Sequence, residues 1–238
     1  ESKDGGDNPS TSVYYNKMTQ KIDSLMYSNN INTSRSSNRA MSFFSDYLLD
    51  SLGKKISFTY NHSYNKNLSG SSISSDILGD INKNERFTNN GNNRYSVNGI
   101  LLDFELPFKF GRIDIGGAFT HINNNSGIVY FDADNNIDYT QTNQFNYTEK
   151  TWGTYASYQK EWNKKWTTKI GVRIESTSTK GYSPTLQTTT TNSYTKIFPT
   201  LFVSYNPNED HSFSLSYSKR LNRPSFYDLN PFRYYTDV

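Results

Sequence analysis

The chain contains no cysteine, which removes disulfides, thiolate nucleophiles and cysteine metal sites together. It also lacks long hydrophobic runs: no segment approaches the roughly eighteen consecutive apolar residues that a membrane-spanning helix requires. The opening ESKDGGDNPS has no apolar signal core. Only 33% of the 238 residues are hydrophobic, and the mean hydropathy is −0.81, too polar for a helical membrane protein. Charge of one sign is missing as well. The 25 basic and 22 acidic residues are spread along the chain for a net +3, with no Lys/Arg block, so a nucleic-acid partner is not expected. There is no nucleophile elbow, no phosphate loop and no pair of carboxylates at catalytic spacing, and His62, His121 and His211 fall on different predicted strands or turns. Neither an enzyme nor a cofactor is expected.

What is present is aromatic. Tyr, Phe and Trp make up 16% of the chain, with 19 Tyr and 15 Phe, set among many Asn, Ser and Thr. Tyr, Phe and Thr favour strands, and Asn and Ser favour turns. Such aromatic density is foreign to disordered chains. The apolar residues recur at period two over long runs. Ile56, Phe58, Tyr60 and His62 share one face and Ser57, Thr59, Asn61 and Ser63 the other. Trp166, Thr168, Ile170, Val172 and Ile174 oppose Thr167, Lys169, Gly171, Arg173 and Glu175. Ile113, Ile115 and Phe119 oppose Arg112, Asp114 and Thr120, and Phe213, Leu215 and Tyr217 alternate with serines. Residues 196–205 repeat the arrangement less cleanly. Over 95–106 and 145–160 the alternation slips, which predicts a bulge or a register change there.

Connections of two kinds alternate. Short ones lie at 49–55, 105–112, 161–166 and 206–211, and long Asn-, Ser- and Thr-rich ones at 67–92, 123–143 and 176–192. In an antiparallel meander this pattern puts short turns at one end and long loops at the other. Strand length then separates two architectures. Soluble strands cluster near five or six residues. Runs of about a dozen residues, at ~3.3 Å each and tilted by ~45°, span roughly 28 Å, close to the ~25 Å apolar band of an outer-membrane barrel. Charge on the second face suits a wet lumen better than a packed core. The expectation is all-β: an antiparallel up-and-down transmembrane β-barrel segment of about eight to ten long strands. Residues 1–34 are expected to form a loop or poorly ordered lead-in, and 35–238 the strand hairpins. The remaining readings are a smaller porin or adhesin barrel and a soluble carbohydrate-binding β domain.

Residues 194–232, YTKIFPTLFVSYNPNEDHSFSLSYSKRLNRPSFYDLNPF, resemble the TonB-dependent receptor barrels of Bacteroidetes-type outer membranes. The likeness rests on Phe198-Pro199, on the SYS-basic-Arg-x-x-Arg-Pro run ending at Pro224, and on Leu229-Asn230-Pro231-Phe232. Gly171, Arg173 and Glu175 resemble that family's GxRxE strand, and LDFELPFK (102–109) its strand-and-turn. The likeness spans about 45–220 and is strongest toward the end. It implies an outer-membrane receptor in a Gram-negative bacterium that takes up an external nutrient or chelate with the TonB system, around a plug domain that this chain does not show. Because family barrels run to about twenty-two strands and this chain ends at Asp237-Val238, a fragment of a larger barrel is expected. Its expected neighbours are outer-membrane lipid, its own plug and TonB.

Several residues are candidates for specific roles. Arg112, Asp114, Lys169, Arg173 and Glu175 are expected to face the lumen, where the resemblance implies contact with plug and ligand path and where generic lumen polarity is the alternative. Tyr130, Phe131, Tyr139 and Tyr182, placed in the long loops, suit either ligand stacking or an interfacial girdle. Asp132, Asp134, Asn136 and Asp138 have the alternate spacing of a calcium loop but lack its central Gly and final Glu, so an acidic hairpin tip is preferred. Beyond the strand at 212–218, Arg220, Arg223, Pro224, Asp228, Asn230, Pro231 and Phe232 are expected to form an ordered rim loop, since the two prolines withdraw ladder donors.

Overall fold

A computed structural model of the chain describes residues 2–16, 21–78 and 83–221. They form one antiparallel sheet of nine strands in sequence order: β1 (Ser2–Tyr15), β2 (Ile22–Leu48), β3 (Lys55–Leu78), β4 (Lys83–Phe108), β5 (Gly111–Phe131), β6 (Ile137–Asn163), β7 (Trp166–Ser183), β8 (Thr188–Tyr205) and β9 (Phe213–Ser218). Among the described residues there is no helix, and β1 and β9 are edges that do not pair with each other. The sheet is therefore a partial barrel.

The two faces are told apart by burial. A single sheet has no second layer to cover it, so a side chain is buried only where curvature brings same-face neighbours together. Ile73, Ile128, Tyr130, Phe145, Tyr147, Asp114, Thr151, Glu175 and Thr177 are buried, and the registers join them into one face; this is the inward face. On the other face, Ile115, Trp152, Ile170, Val172, Ile174, Leu215 and Tyr217 stay exposed. They form a belt about ten residues tall on each strand, roughly 23 Å at a ~45° tilt. Aromatics bound the belt at both rims. Toward the short turns, Phe108 and Phe110 stack at 5.0 Å, Trp166 and Tyr205 at 4.3 Å, and Lys160 lies 4.3 Å over Trp162. At the other rim Phe119 meets Trp152 at 4.1 Å, and His62 and Tyr60 both reach Asn98.

The short turns gather at one end as the alternation predicts, at 49–54, 109–110, 164–165 and 206–212. In the first, Asp50 accepts the amides of Leu52 and Lys54, both at 3.0 Å, and Gly53 supplies the φ of +91° that closes the turn.

Three expectations are corrected. The Asn/Ser/Thr-rich stretches 67–92, 123–143 and 176–192 are mostly strand, not loop: β6 runs 27 residues, ~90 Å of extended chain, and the β5–β6 connection occupies only 132–136. Polar side chains hold these extensions together across strands, as in Ser28–Ser75 at 2.8 Å, Asn30–Ser71 at 2.8 Å and Asn125–Asn146 at 2.6 Å. Residues 2–15 and 22–34 are likewise paired strand, with Asp4 opposite Ser34, and not a lead-in. The slips at 95–106 and 145–160 are not bulges, because the ladders run through both without a shift. The apolar phase inverts instead. In the belt, lipid makes the outward face apolar (Ile100, Leu102, Trp152); beyond it, water makes the inward face apolar (Tyr95, Val97, Phe145, Tyr147). Shifts occur between Ile128 and Tyr130 and between Glu161 and Asn163.

Candidate functional site

The inward face carries two chemically different zones. Near the short turns, charged residues at alternate positions of adjacent strands form a ladder of alternating sign. Lys55 lies between Asp46 at 3.6 Å and Glu105 at 3.1 Å, and Glu105 meets Arg112 at 3.0 Å. Arg112 Nε donates to Asp114 at 2.6 Å, and Asp114 also accepts from Ser157 at 3.2 Å and Lys169 at 3.4 Å. Alongside, Tyr155 donates to Asp103 across Gly116, and Arg173 pairs with Glu175 at 2.8 Å. Of these, Asp103, Glu105, Arg112, Asp114, Tyr155, Ser157, Lys169 and Arg173 line a groove of about 490 Å³. Arg112, Asp114, Lys169, Arg173 and Glu175 share one face of the sheet; Arg112 and Lys169 both reach Asp114, and Arg173 and Glu175 form a separate pair. The sequence reading missed Asp46, Lys55, Asp103, Glu105 and Tyr155. Their signal was the Asp103-x-Glu105 spacing in phase with Arg112-x-Asp114, masked by the inward Leu101.

Beyond the belt, at the end opposite the short turns, lies a cavity of about 420 Å³. Asn32, Ser34, Ser69 and Ser71 supply amides and hydroxyls, while Ile128 and Tyr130 form an apolar wall. Small residues open it. A Cβ on Gly91 would run into Ser69 Oγ. Next to it, Asn124 is buried with its side-chain oxygen unpartnered. Burial raises the Tyr147 phenol above its usual range, helped by its hydrogen bond to Glu149 at 2.7 Å, and burial raises that of Tyr95 as well. Both remain neutral hydroxyls at neutral pH.

The four aromatics expected on loops all lie on strands and do not converge. Tyr130 is 2% exposed on the inward face, with its ring 6.5 Å from Phe87. Phe131 has the opposite parity on β5, and Tyr139 and Tyr182 are exposed. The acidic run is a hairpin tip. Asp132 accepts the amides of Asp134 and Asn136 at 3.0 and 2.8 Å, and Asn135 takes a φ of +63°. Asp138 accepts from Thr140 and Gln141, and the Thr140 hydroxyl leads in holding its carboxyl below the usual range. Among the described residues no group of three metal-ligating side chains comes together. His62 bonds to Asn98, His211 to Asn208, and His121 stacks near Phe119. Arg220 is exposed just past β9; Arg223, Pro224, Asp228, Asn230, Pro231 and Phe232 lie outside the described residues.

Comparison with solved structures returns outer-membrane receptors and transporters. The siderophore receptor PiuA from Acinetobacter baumannii aligns with a TM-score of 0.47 at 11% identity, over 91% of this chain and 44% of that one. The ferric yersiniabactin uptake receptor FyuA from Yersinia pestis gives 0.44 at 10%, over 84% and 39%. The ferric citrate transporter FecA, in its unliganded form, gives 0.43 at 11%, over 87% and 40%. The chain thus spans less than half the length of each. No curated protein sequence matches it. Residues 47–238, which include the short turns and the charged ladder from Lys55 onward, match one family, and the chain belongs to the outer membrane protein beta-barrel family.

Proposed function

We propose that this chain is barrel wall of a TonB-dependent receptor, of the Bacteroidetes type that its 194–232 stretch resembles, and that it admits an external nutrient or chelate. The observation that carries the reading is the inward ladder from Asp46 to Lys169. It sets six charges of alternating sign across five strands, at the end whose short turns suit the periplasmic rim. A passive channel needs polarity there but no such register. A plug domain seated in the lumen does, because its own side chains exchange for the ladder's hydrogen bonds when it moves. Arg173 and Glu175 extend the same surface. The cavity beside Tyr130 opens at the opposite end, where an external ligand arrives. TonB, through the plug, supplies the energy coupling; no catalysis is part of the reading.

The test is uptake. Cells expressing the full-length protein are offered ferric chelates, vitamins, glycans and peptides in turn, with the TonB gene present or deleted. The expected outcome is saturable uptake of one class, lost without TonB. Uptake that persists without TonB, linear in concentration, would make the barrel a passive porin.

A further inference from the structure

Two neighbouring rungs of the sheet build the cavity beside Tyr130. Asp4, Ser34, Ser69, Gly91 and Ile128 stand opposite one another from β1 to β5, and so do Gly6, Asn32, Ser71, Asn89 and Tyr130. Residues directly opposite share a face, so both rungs look into one space of about 420 Å³, an ordinary size for a small-molecule site. Asp4 is the one charged residue of its lining. Above the rung that joins Thr151, Thr177 and Tyr194, and up to the rung of Ser75 and Glu85, no described inward position of β1 to β8 is Lys or Arg. The cations at that height, such as Lys3, Lys66, Arg94 and Lys150, have the outward parity. An anionic ferric chelate settling into the cavity would face Asp4 and find no cation to offset its desolvation.

The neutral groups of the lining suit another class of ligand. Asn32 and Asn89 bond no other described residue through their side chains, and Asn89 is 9% exposed at the cavity wall. One rung below Gly91, Asn93 stands opposite Ser126 with its side-chain oxygen buried and unpartnered, an acceptor that a ligand hydroxyl, directly or through water, can serve. Carboxamides and hydroxyls both donate and accept, and so do the ring hydroxyls of a sugar. Ile128 and Tyr130, 6% and 2% exposed, are too covered to offer a slot to a hydrophobic side chain, and a free peptide carboxylate would meet the same want of a cation. We infer that the cavity binds a neutral oligosaccharide and excludes anionic ferric chelates, with Asn32, Asn89, Ser34 and Ser69 bonding to its hydroxyls. This deepens the proposed uptake function and rests on it, since it names the nutrient admitted.

Calorimetry reads the class directly. The full-length protein, in a detergent without a sugar headgroup, is titrated with soluble neutral oligosaccharides of glucose, mannose, galactose, xylose and fructose, and separately with ferric citrate and a capped neutral peptide. Wild type is expected to bind at least one oligosaccharide and neither of the other probes. Asn32→Ala/Asn89→Ala should weaken that binding roughly tenfold, as expected for two lost hydrogen bonds. Asn123→Ala/Asn125→Ala, on the outward face, should leave it unchanged. Heat-shifted gel mobility verifies folding, and if the first double variant fails to fold, Asn89→Ala alone should show about a threefold loss. Binding of ferric citrate or the peptide in place of the oligosaccharides, no binding of any oligosaccharide in the panel, equal affinity in wild type and the first variant, or an equal loss in the outward control overturns the inference. Its failure is distinct from failure of the proposed function: a receptor that binds ferric citrate and loses uptake with TonB still transports, whereas uptake that survives TonB loss defeats that function whatever the cavity binds.

Discussion

Tyr155 reaches Asp103 two strands away by laying its ring across Gly116, which sits between them in register on β5. A Cβ at residue 116 would lie about 2.6 Å from the ring's Cζ, so the hydrogen bond and the missing side chain form one device. The same arrangement recurs where Arg173 lies over Gly153, 3.2 Å from the Cβ that residue lacks.

Gly116→Val should therefore displace Tyr155 and cost about 1–3 kcal/mol through overpacking and the lost hydrogen bond. Combining it with Tyr155→Ala should cost less than the sum of the two single changes, because the clash needs both side chains. Thermal unfolding in detergent, followed by loss of β circular dichroism, reads both effects. Strict additivity of the two would refute the arrangement.

Asp114 is the hub of the ladder. Its side chain is 10% exposed and takes Arg112, Lys169 and Ser157. Asp114→Ala leaves two cations facing each other on the inward wall and should destabilise by about 2–3 kcal/mol. Lys169→Met in that background removes one of them and should restore part of the loss. Urea midpoints of the four proteins give the coupling, and zero coupling would contradict the shared carboxylate.

Ile115 is 45% exposed at the middle of the outward belt of β5. Ile115→Arg puts a cation in hydrocarbon and should cost about 2–4 kcal/mol. Thr148→Arg, outward on β6 but beyond the belt, should cost close to nothing. The contrast is measured by refolding yield into vesicles, and equal yields would remove the belt from the lipid.

At the short-turn end, the backbone amide of Lys54, with smaller help from its side chain and from the Leu52 amide, holds the Asp50 carboxyl below its usual range. A folded pKa below the unfolded one adds stability above the unfolded value and loses it as pH falls through the folded value. Asp50→Asn should thus be less stable than wild type at pH 7, and the difference should shrink from about pH 4 downward. Unfolding midpoints at pH 7 and pH 3 decide it; a difference that grows with acid would reverse the sign.

Legibility in the sequence stopped where the solvent on each face changed. Inside the belt, Ile113-x-Ile115 and Trp166-x-Thr168-x-Ile170-x-Val172 alternate because lipid meets one face and water the other, so those strands and their turns were readable. Beyond the belt neither face meets lipid. Asn and Ser then occupy both faces of 67–92 and imitate a loop, although the backbone ladder runs on unbroken from β3 to β4. The burial of Tyr130 was hidden for the same reason: its neighbour Phe87 is distant in sequence and meets it only through the pairing of β4 with β5.

The sequence by itself determined the all-β class, the two-sided belt strands and the end at which the tight turns gather, because these depend on residues within one turn or a few alternate positions. Only the tertiary structure decided that the strands run far past the membrane and that their apolar phase inverts at its edge. Partner choice also needed the fold. Glu105 bridges Lys55 and Arg112, and Lys66 is forced to face Arg94. Such pairings follow from strand register, which is set by backbone hydrogen bonds summed over whole strands and not by any local run of residues.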